Sequence, residues 1–308
     1  MRDLLSLPKA HLHVHLESAV RGTATAIDGL LDFFDRNQRV RDALRTADDF
    51  RRVAAQMCED QAADGVRYVE VSFTAAAHGE RLGDLAMPLE AVLSGLAAGA
   101  ASTGIAWRVI LDTSRRRPVE RAWRTLSLAQ RHAAAGVVAV GLAGDEAYPA
   151  APFAEVFAAA RDAGLHVVHH AGEAAGPASI RAALAVGAER IGHGITILSD
   201  PALVAAVREA GIALEVCPSS NVALGLVPSL AEHPLPRLVD AGLAVTLNTD
   251  IPAMIGTTLT AEYAHARTVW GFDDDALAAL ALAAVDASWA PPVVAAALRA
   301  DLATWLAS

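Results

Sequence analysis

Three histidines alternate with aliphatic residues near the start of the chain, in the run His11-Leu12-His13-Val14-His15. Side chains two positions apart on a β-strand point to the same face, so a strand here places the three imidazoles side by side. Imidazole nitrogens at that spacing reach one zinc ion at about 2.0 to 2.1 Å. A polar surface strand, or imidazoles that only hydrogen-bond, would explain the run equally well, so the motif by itself only suggests a metal site.

A second polar pair, His170 and Glu173, follows a predicted strand and precedes a glycine-proline turn. A loop in this position exposes both side chains. A carboxylate three residues beyond a metal-binding imidazole can contact a bound substrate without ligating the metal, which suits a general acid or base. Taken alone, the pair is equally compatible with a glutamate that caps a helix and a histidine buried in the core.

Two further polar residues, His193 and Asp250, also stand at the ends of predicted strands. Gly192 and Gly194 flank His193 and allow its backbone and imidazole to approach another group closely. Asp250 follows an apolar strand, at a place where a solvated aspartate would also be unremarkable. The recurrence of such residues at separate strand ends favours one shared site, because unrelated surface residues seldom align in this way.

The elements that would position these residues form a repeated pattern along the chain. Short apolar runs bounded by glycine or polar residues are each followed by a longer helical segment, as in βα units. Several helices open with proline, whose missing N–H costs nothing in the first turn. The predicted strands are Ala10–Leu16, Val66–Phe73, Trp107–Leu111, Val137–Leu142, His166–Ala171, Arg190–His193, Ala213–Val216 and Ala244–Asn248. The predicted helices include Pro152–Ala163, Pro177–Val186, Pro201–Ala210 and Leu235–Ala241.

Eight βα units in a chain of 308 residues predict an α/β fold, a (β/α)8 TIM-type barrel. A doubly wound open sheet is the alternative. The barrel is favoured because it brings the carboxyl ends of all strands, and the polar residues there, onto one face, whereas an open sheet would separate the first strand from the last. No glycine-rich dinucleotide or phosphate-binding motif follows the first strand.

One segment, residues 18–61, interrupts the regular alternation between the first and second strands. It is long and partly helical, and it contains Phe33, Phe34 and Phe50. We predict that it forms a helical lid over the mouth of the barrel. Residues 1–308 are otherwise predicted to form a single metal-dependent hydrolase domain.

Composition excludes several classes of function. Hydrophobic residues make up 54% of the chain and charged residues 19%, which is enough for one large core. The formal net charge of −10 argues against binding to nucleic acid, whose affinity for proteins depends on dense lysine and arginine. Alanine-rich stretches such as residues 91–101 fall short of a membrane span. The expected partners are therefore a small molecule and water.

The cysteines and the first residues bear on the compartment. Cys58 and Cys217 are far apart and belong to no paired motif, so neither a disulfide scaffold nor a cysteine zinc site is expected. The residues before the histidine run are too few and too polar for a signal peptide. We therefore predict a soluble cytoplasmic protein, whose oligomeric state the sequence leaves open.

The order of several motifs resembles the adenosine deaminase family of the amidohydrolase superfamily. The opening segment Leu7–Glu17 is similar to the zinc-binding opening of that family. Further motifs appear in family order at Val69–Val71, Leu142–Glu146, His170–Glu173, Arg190–Gly194, Glu215–Asn221 and Asn248–Asp250 with Pro252. The resemblance covers the whole chain.

The resemblance implies a zinc-dependent hydrolytic deaminase with one Zn²⁺ per chain. Zinc lowers the pKa of a bound water to about 7, so hydroxide becomes available at neutral pH. The implied zinc ligands are His13, His15, His170 and Asp250, the last of which also belongs to the catalytic group.

The resemblance also implies roles for residues that do not bind the metal. Glu173 would donate a proton to the ring nitrogen beside the attacked carbon, and His193 would orient the attacking hydroxide. Gly144 would offer backbone hydrogen bonding to the substrate ring. Glu17 stands where the family has an aspartate that contacts the ribose.

Three positions depart from the family pattern. Ile251 replaces a second aspartate that contacts the imidazole edge of the purine, and an isoleucine side chain cannot hydrogen-bond. Ser18 stands in place of a glycine, and Ser72 in place of an arginine that usually follows the glutamate of strand two. The metal chemistry is thus expected to be intact, while the recognition of adenosine is expected to differ.

These features lead to one hypothesis and two alternatives. The protein is expected to deaminate an amino-substituted heterocycle, in the first instance an adenosine-like or modified purine nucleoside. The alternatives are a deaminase of a different heterocyclic amine and a non-catalytic protein that keeps the zinc site. Arg115, Arg116 and Arg117 follow strand three and are expected to include a contact to an anionic group of the substrate, unless they form only a solvated charged loop.

Overall fold

The computed structural model describes residues 1–23, 27 and 29–308, with the side chains of residues 30, 31 and 34 outside the description. In this part of the chain, eight parallel strands form one sheet whose order follows the order of the sequence. Every neighbouring pair from the first strand to the eighth is parallel. The strands are β1 (Lys9–His15), β2 (Val66–Phe73), β3 (Ala106–Ser114), β4 (Val137–Ala143), β5 (His166–Ala171), β6 (Arg190–His193), β7 (Ala213–Val216) and β8 (Val245–Leu247).

Contacts between β1 and the residues that follow β8 close this sheet into a barrel. The backbone N–H of His15 donates to the carbonyl of Asp250 at 2.9 Å, and the N–H of Asp250 donates to the carbonyl of His13 at 3.0 Å. The side-chain Oδ1 of Asn248 accepts the N–H groups of Leu12 and His13. The predicted (β/α)8 barrel is therefore confirmed, and the open-sheet alternative is wrong.

Helices connect the strands and cover the outside of the barrel. Pro177 and Pro201 lie in the first turns of two of these helices, as predicted. Thr46 and Asp49 form a reciprocal capping box that fixes the start of another. The helices are α1 (Gly29–Ala43), α2 (Ala47–Ala63), α3 (Ala75–Leu82), α4 (Met87–Thr103), α5 (Val119–His132), α6 (Ala154–Asp162), α7 (Pro177–Ala185), α8 (Pro201–Glu209), α9 (Pro218–Ala223), α10 (Leu235–Asp240), α11 (Pro252–Ile255), α12 (Leu259–Thr268), α13 (Asp274–Ala287) and α14 (Pro292–Ala307).

The main hydrophobic core lies between the strands and these helices. Strands that are covered on both faces are nearly continuous apolar runs, as in the sequence VVAVGLA of β4. Core side chains such as Leu12, Phe157, Leu277 and Trp305 are at most 5% exposed. Burying each of them stabilises the fold by roughly 1.5–3 kcal/mol before the entropy cost of ordering the chain. None of the described helices has the length and apolar character needed to cross a bilayer.

The segment predicted as a lid, residues 18–61, contains α1 and α2. Phe33 and Arg41 of α1 face the cavity above the barrel. Phe50 of α2 is fully buried against Phe73 of β2, so this part of the segment belongs to the barrel wall. The side chain of Phe34 lies outside the description. The role of the segment as a lid, and the assignment of 1–308 to one domain, stay predictions.

Candidate active site

A group of histidines and one aspartate from different strand ends meets at the carboxyl end of the barrel. Ligand atoms of His13, His170, His193 and Asp250 all lie within 4.8 Å of one another. His15 joins this cluster, because its Nε2 is 3.2 Å from Nε2 of His170 and 3.3 Å from Oδ1 of Asp250. The fold thus brings together the five residues that the motifs predicted for one site.

The third imidazole of the first motif, His11, lies apart from this cluster. Its Nδ1 is 2.7 Å from Oε1 of Gln61 on α2, and its Nε2 accepts the backbone N–H of Thr249 at 3.2 Å. Burial lowers the pKa of His11 to about 4, so the ring is neutral and its Nε2 can accept that bond. The prediction that all three imidazoles share one face is therefore wrong. The register between β1 and β2 shifts between His11 and Val14, which interrupts the two-residue alternation.

The donor atoms of the cluster fit a tetrahedral metal ion. Ligand distances of about 2.0 to 2.1 Å around such an ion place neighbouring donor atoms roughly 3.3 Å apart. The contacts of His15 with His170 and Asp250, at 3.2 and 3.3 Å, match this spacing. Nε2 of His13 is fully buried, has no hydrogen-bond partner and lies 3.7 Å from Oδ1 of Asp250. An unpartnered buried nitrogen is costly, so its position favours a bound cation.

One carboxylate holds the outer nitrogen of His13, and a second lies near that of His15. Oε2 of Glu215 is 2.8 Å from Nδ1 of His13, and Oδ2 of Asp112 is 3.5 Å from Nδ1 of His15. Such carboxylates orient metal-binding imidazoles. Burial opposes a charge on His13, but the negative charges of Asp250 and Glu215 outweigh it and raise the pKa of His13 to about 10. Metal binding must therefore displace a proton at this site.

Neither carboxylate was predicted from the sequence to have a role at this site. Glu215 lies in β7, a four-residue strand that is buried throughout. A glutamate within such a strand is rarely buried unless it is paired, and this pattern was the available signal. The second carboxylate oxygen of Glu215, Oε1, pairs with Nε of Arg190 at 2.7 Å, and the guanidinium of Arg190 also pairs with Glu70.

A chain of hydrogen bonds sets the proton position on His193. Nδ1 of His233 accepts the N–H of Leu235, so the Nε2–H of His233 donates to Oδ1 of Asn221. The amide nitrogen of Asn221 then donates to Nδ1 of His193 at 3.2 Å. Burial lowers the pKa of His193 to about 3, so the ring is neutral and its proton lies on Nε2.

His193 and Asp250 both have left-handed backbone conformations, with φ of 65° and 62°. Residues with side chains rarely adopt this region, and such strain persists where surrounding contacts fix it, often at functional sites. Ser220 of α9 provides one such contact, since its Oγ donates to Oδ2 of Asp250 at 2.6 Å. The backbone thus directs both side chains into the cluster.

The loop after β5 carries Glu173 and is anchored by a second glutamate. The carboxylate of Glu146 accepts the backbone N–H groups of Gly172, Glu173 and Ala174 at 2.7, 2.8 and 2.9 Å. The motif containing Glu146 was noticed in the sequence, but this anchoring role was not. α7 begins after Gly176, so Glu173 does not cap that helix.

The side chain of Glu173 faces the cluster. Its Oε1 is 3.6 Å from Nε2 of His193. Burial, together with the negative charges of Asp250 and Glu146, raises the pKa of Glu173 to about 8. The carboxyl group therefore carries a proton at neutral pH, as a general acid must.

A cavity of about 430 Å³ opens directly onto these groups. The three residues predicted to contact the substrate, Glu17, Gly144 and Ile251, all line it. Oε1 of Glu17 accepts hydrogen bonds from the hydroxyl of Thr74 and from Nε2 of His78, which fix the carboxylate. Gly144 has φ of 92°, a conformation that a residue with a side chain rarely adopts.

Ile251 forms part of an apolar wall of this cavity. Its side chain is 2% exposed and packs in a small cluster with Val40 of α1, Leu224 and Met254. The residue that replaces the family's second aspartate is thus integrated into apolar packing.

The three consecutive arginines after β3 have different positions. Arg115 is buried, and its guanidinium donates to the carbonyl oxygens of His170 and Tyr148. Arg116 and Arg117 are exposed and line the cavity. Arg116 also lies over the ring of Tyr148, at 5.8 Å from its centroid.

Comparisons with known proteins agree with this geometry. The adenosine deaminase family model matches residues 22–305. An aminodeoxyfutalosine deaminase from Streptomyces coelicolor is 38% identical over 336 residues, covering 99% of this chain and 87% of that protein. An adenine deaminase structure from Arthrobacter aurescens matches with a TM-score of 0.90 and 28% identity, covering 98% of this chain and 99% of that one. An N6-mAMP deaminase structure from Arabidopsis matches with a TM-score of 0.89 and 26% identity, covering 98% and 99%.

The barrel, its cluster and these relatives define the class of protein as a hydrolytic deaminase that acts on C–N bonds. The chain belongs to the adenosine deaminase family. The alternative of a non-catalytic binding protein is therefore set aside. The named relatives differ in the molecule they act on, so family membership leaves the substrate of this chain open.

Proposed function

We propose that this protein is a zinc-dependent deaminase of an adenosine-like or modified purine nucleoside, with one zinc ion per chain. The observation that carries the proposal is the position of Glu173. This residue has a raised pKa and lines the same cavity as His15, His170 and Asp250 of the cluster. A proton donor beside a cation site is what hydrolytic removal of a ring amine requires.

Zinc would be held by His13, His15, His170 and Asp250. The spacing of His15 from His170 and Asp250 supports its place in this set. His193 is assigned a different role, because its protonated Nε2 lies 3.6 Å from Glu173. When bound, zinc acts as a Lewis acid and lowers the pKa of water to about 7.

In the proposed reaction, water adds to the ring carbon that bears the amino group, and the C–N bond of that group then breaks. The products are the ring carbonyl compound and ammonia. Glu173 gives its proton to the neighbouring ring nitrogen, which prevents negative charge from building up on the ring. The Nε2–H of His193 donates to the attacking oxygen and orients it.

The residues that line the cavity support a nucleoside-like substrate that is recognised differently from adenosine. Gly144 presents its backbone to the ring, and Glu17 presents its carboxylate to the sugar. Ile251 offers only an alkyl surface, so a purine held in the usual family orientation would bury its N7 without a partner. This observation favours a second candidate, a deaminase of a different heterocyclic amine.

A substrate screen tests the proposal. Zinc-loaded protein is incubated with adenine, adenosine, N6-substituted adenosines, guanosine and cytidine, and the release of ammonia, or of the corresponding amine from the N6-substituted compounds, is measured. We expect release from one or more of the purine compounds and a strongly reduced release with the Glu173→Gln variant. Release from the cytosine compound alone would support the second candidate. The absence of release from every compound would contradict the proposal.

A further inference from the structure

One wall of the cavity is lined by arginine side chains. Arg41 comes from α1, while Arg116 and Arg117 come from the loop after β3. Positive charges from two separate elements thus meet at one cavity, in a chain whose net charge is −10. This arrangement is unusual enough to require a physical reason.

These three guanidinium groups have no ion-pair or hydrogen-bond partner within the described part of the chain. The neighbouring arginines differ in this respect. Arg121, which also lines the cavity, and Arg124 pair with Glu80, and both are therefore neutralised. The fold thus supplies a carboxylate for these two arginines and none for Arg41, Arg116 and Arg117 in the described part of the chain.

Arg41 is the most informative member of the group because its side chain is only partly exposed. Burial lowers its pKa, the charge of Glu17 opposes this effect, and the positive charges of Arg117, Arg121 and Arg81 lower the pKa further. An arginine remains charged in spite of such shifts. Crowding of like charges at a partly buried site is unfavourable, and an anion bound there would relieve it.

Three acidic residues of the cavity cluster near the proposed metal site, while Asp145 and Glu146 line the cavity from the loop after β4. Asp112, Glu173 and Asp250 lie at the carboxyl ends of the strands or just beyond them. Glu17 is close enough to Arg41 for the two charges to influence each other, although they form no ion pair. Arg41 is thus on the side of the cavity where Glu17, the proposed sugar contact, lies.

We propose that Arg41, Arg116 and Arg117 form an anion-binding subsite, which receives a carboxylate or phosphate on the sugar side of the substrate. The inference rests on the proposed function and narrows its substrate class to anionic purine nucleosides. Arginine suits this role because two N–H donors of its planar guanidinium can bind two oxygens of a carboxylate or of a phosphate at the same time. The acidic and basic ends of the cavity would also orient such a substrate, with its amine towards Glu173.

Three compounds with the same ring test the subsite: adenosine, adenosine 5′-monophosphate and adenosine 5′-carboxylate. The value of kcat/KM is measured for each with the zinc-loaded wild-type protein. We expect at least one anionic compound to exceed adenosine by about 10-fold, since a hydrogen bond to a charged group typically contributes that factor or more. The better of the two identifies the anionic group. A preference for adenosine over both would overturn the proposal.

Arginine variants locate the effect. In Arg41→Gln and in the double variant Arg116→Gln/Arg117→Gln, we expect the anionic-to-neutral ratio of kcat/KM to fall by about 10-fold, mainly through KM. The matched control is Arg39→Gln, which removes the same charge from an exposed position of α1 outside the cavity. It should leave the ratio unchanged. An equal fall in Arg39→Gln would mean only a general charge effect and would overturn the subsite.

Product binding separates this proposal from the proposed function. Calorimetry compares inosine 5′-monophosphate with inosine and needs no turnover. If no compound releases ammonia, the proposed function fails, and the subsite is judged on binding alone. Tighter binding of the monophosphate that Arg41→Gln weakens by about 10-fold supports it. Equal binding of the two products overturns it.

Discussion

Glu215 on β7 holds Nδ1 of His13 at 2.8 Å, which leaves the Nε2 atom of that imidazole directed into the cluster without a partner. The same carboxylate pairs with Arg190 through its other oxygen, and Arg190 continues to Glu70 on β2. A buried chain of charges therefore runs through the barrel and ends at the cluster of histidines and Asp250.

The first prediction concerns this chain. The Glu215→Gln variant should bind zinc roughly 10- to 100-fold more weakly, because carboxylates that orient metal-binding imidazoles contribute about that factor. The measurement is a competition titration with a chelator of known affinity.

Glu70→Gln is the matched control. It breaks the same buried network at Arg190 but has no contact with His13. Both variants should lose stability, since each removes one partner of a buried ion pair. Only Glu215→Gln should lose zinc affinity, and equal affinities in the two variants would contradict the positioning role.

The second prediction concerns the ligand set. The wild-type protein should hold about one divalent metal per chain, and His15→Ala should lose most of it. His193→Ala should keep the metal and lose activity, because its imidazole is assigned to the reacting oxygen. Elemental analysis after reconstitution with zinc measures both. A wild-type content below about a tenth of an equivalent would remove the metal assignment, and metal loss in His193→Ala would place that residue among the ligands.

The third prediction concerns proton transfer. Glu173→Gln should reduce kcat by roughly 10² to 10⁴-fold, the usual cost of removing a general acid. Its zinc content should match that of the wild-type protein, because the side chain is not a proposed ligand. Steady-state kinetics on the best substrate and metal analysis of the same sample provide the test. Loss of zinc in this variant would mean that Glu173 binds the metal.

The fourth prediction concerns Ile251. Adenosine should be a poor substrate beside the true one, since no hydrogen bond is available from the side chain at this position. Introducing a carboxyl group with Ile251→Asp, whose protonated form can donate a hydrogen bond to the purine N7, should raise kcat/KM for adenosine by about 10-fold, because a polar contact of this kind contributes on the order of 1 to 3 kcal/mol. A compound screen with steady-state kinetics measures both effects.

Ile255→Asp provides the control for this substitution. Ile255 packs against the same apolar cluster without lining the cavity, so its replacement should carry a similar stability cost and no gain with adenosine. If adenosine is already the best substrate and Ile251→Asp gains nothing, the inference from Ile251 to altered recognition is wrong.

The fifth prediction concerns pH and a carboxyl group remote from the reaction. Glu262 of α12 accepts hydrogen bonds from the hydroxyl of Thr257 at 2.9 Å and the N–H of Ser219 at 3.3 Å. Burial outweighs these bonds and raises the pKa of Glu262 from 4.5 to about 7. A raised carboxyl pKa favours the folded state below pH 4.5, and this contribution is lost as the pH rises through about 7.

We therefore expect Glu262→Gln to remove a pH-dependent loss of stability on the order of 3 kcal/mol across that window. Denaturant unfolding at about pH 5 and about pH 8 measures it, as the difference between variant and wild type at each pH. Glu209→Gln, at an exposed position on α8, should follow the wild-type profile. Parallel profiles for Glu262→Gln and the wild type would contradict the prediction.

The sequence alone determined the architecture and most of the site. The eight strands were predicted to within a few residues, because a barrel strand buried on both faces must be a short apolar run between turn residues. His13, His15, His170, His193 and Asp250 were grouped correctly, because parallel strands in a barrel bring their carboxyl ends to one face.

The tertiary structure decided which side chains support the site and which do not belong to it. The register shift in β1 turns His11 towards Gln61, and the alternation of residue types carries no sign of such a shift. Glu146 and Glu215 act on partners 27 and 202 positions away, and a single sequence does not specify side-chain pairs at such separations. The unpaired state of Arg41 likewise emerges only from the fold, because neutralisation depends on where every carboxylate lies in space.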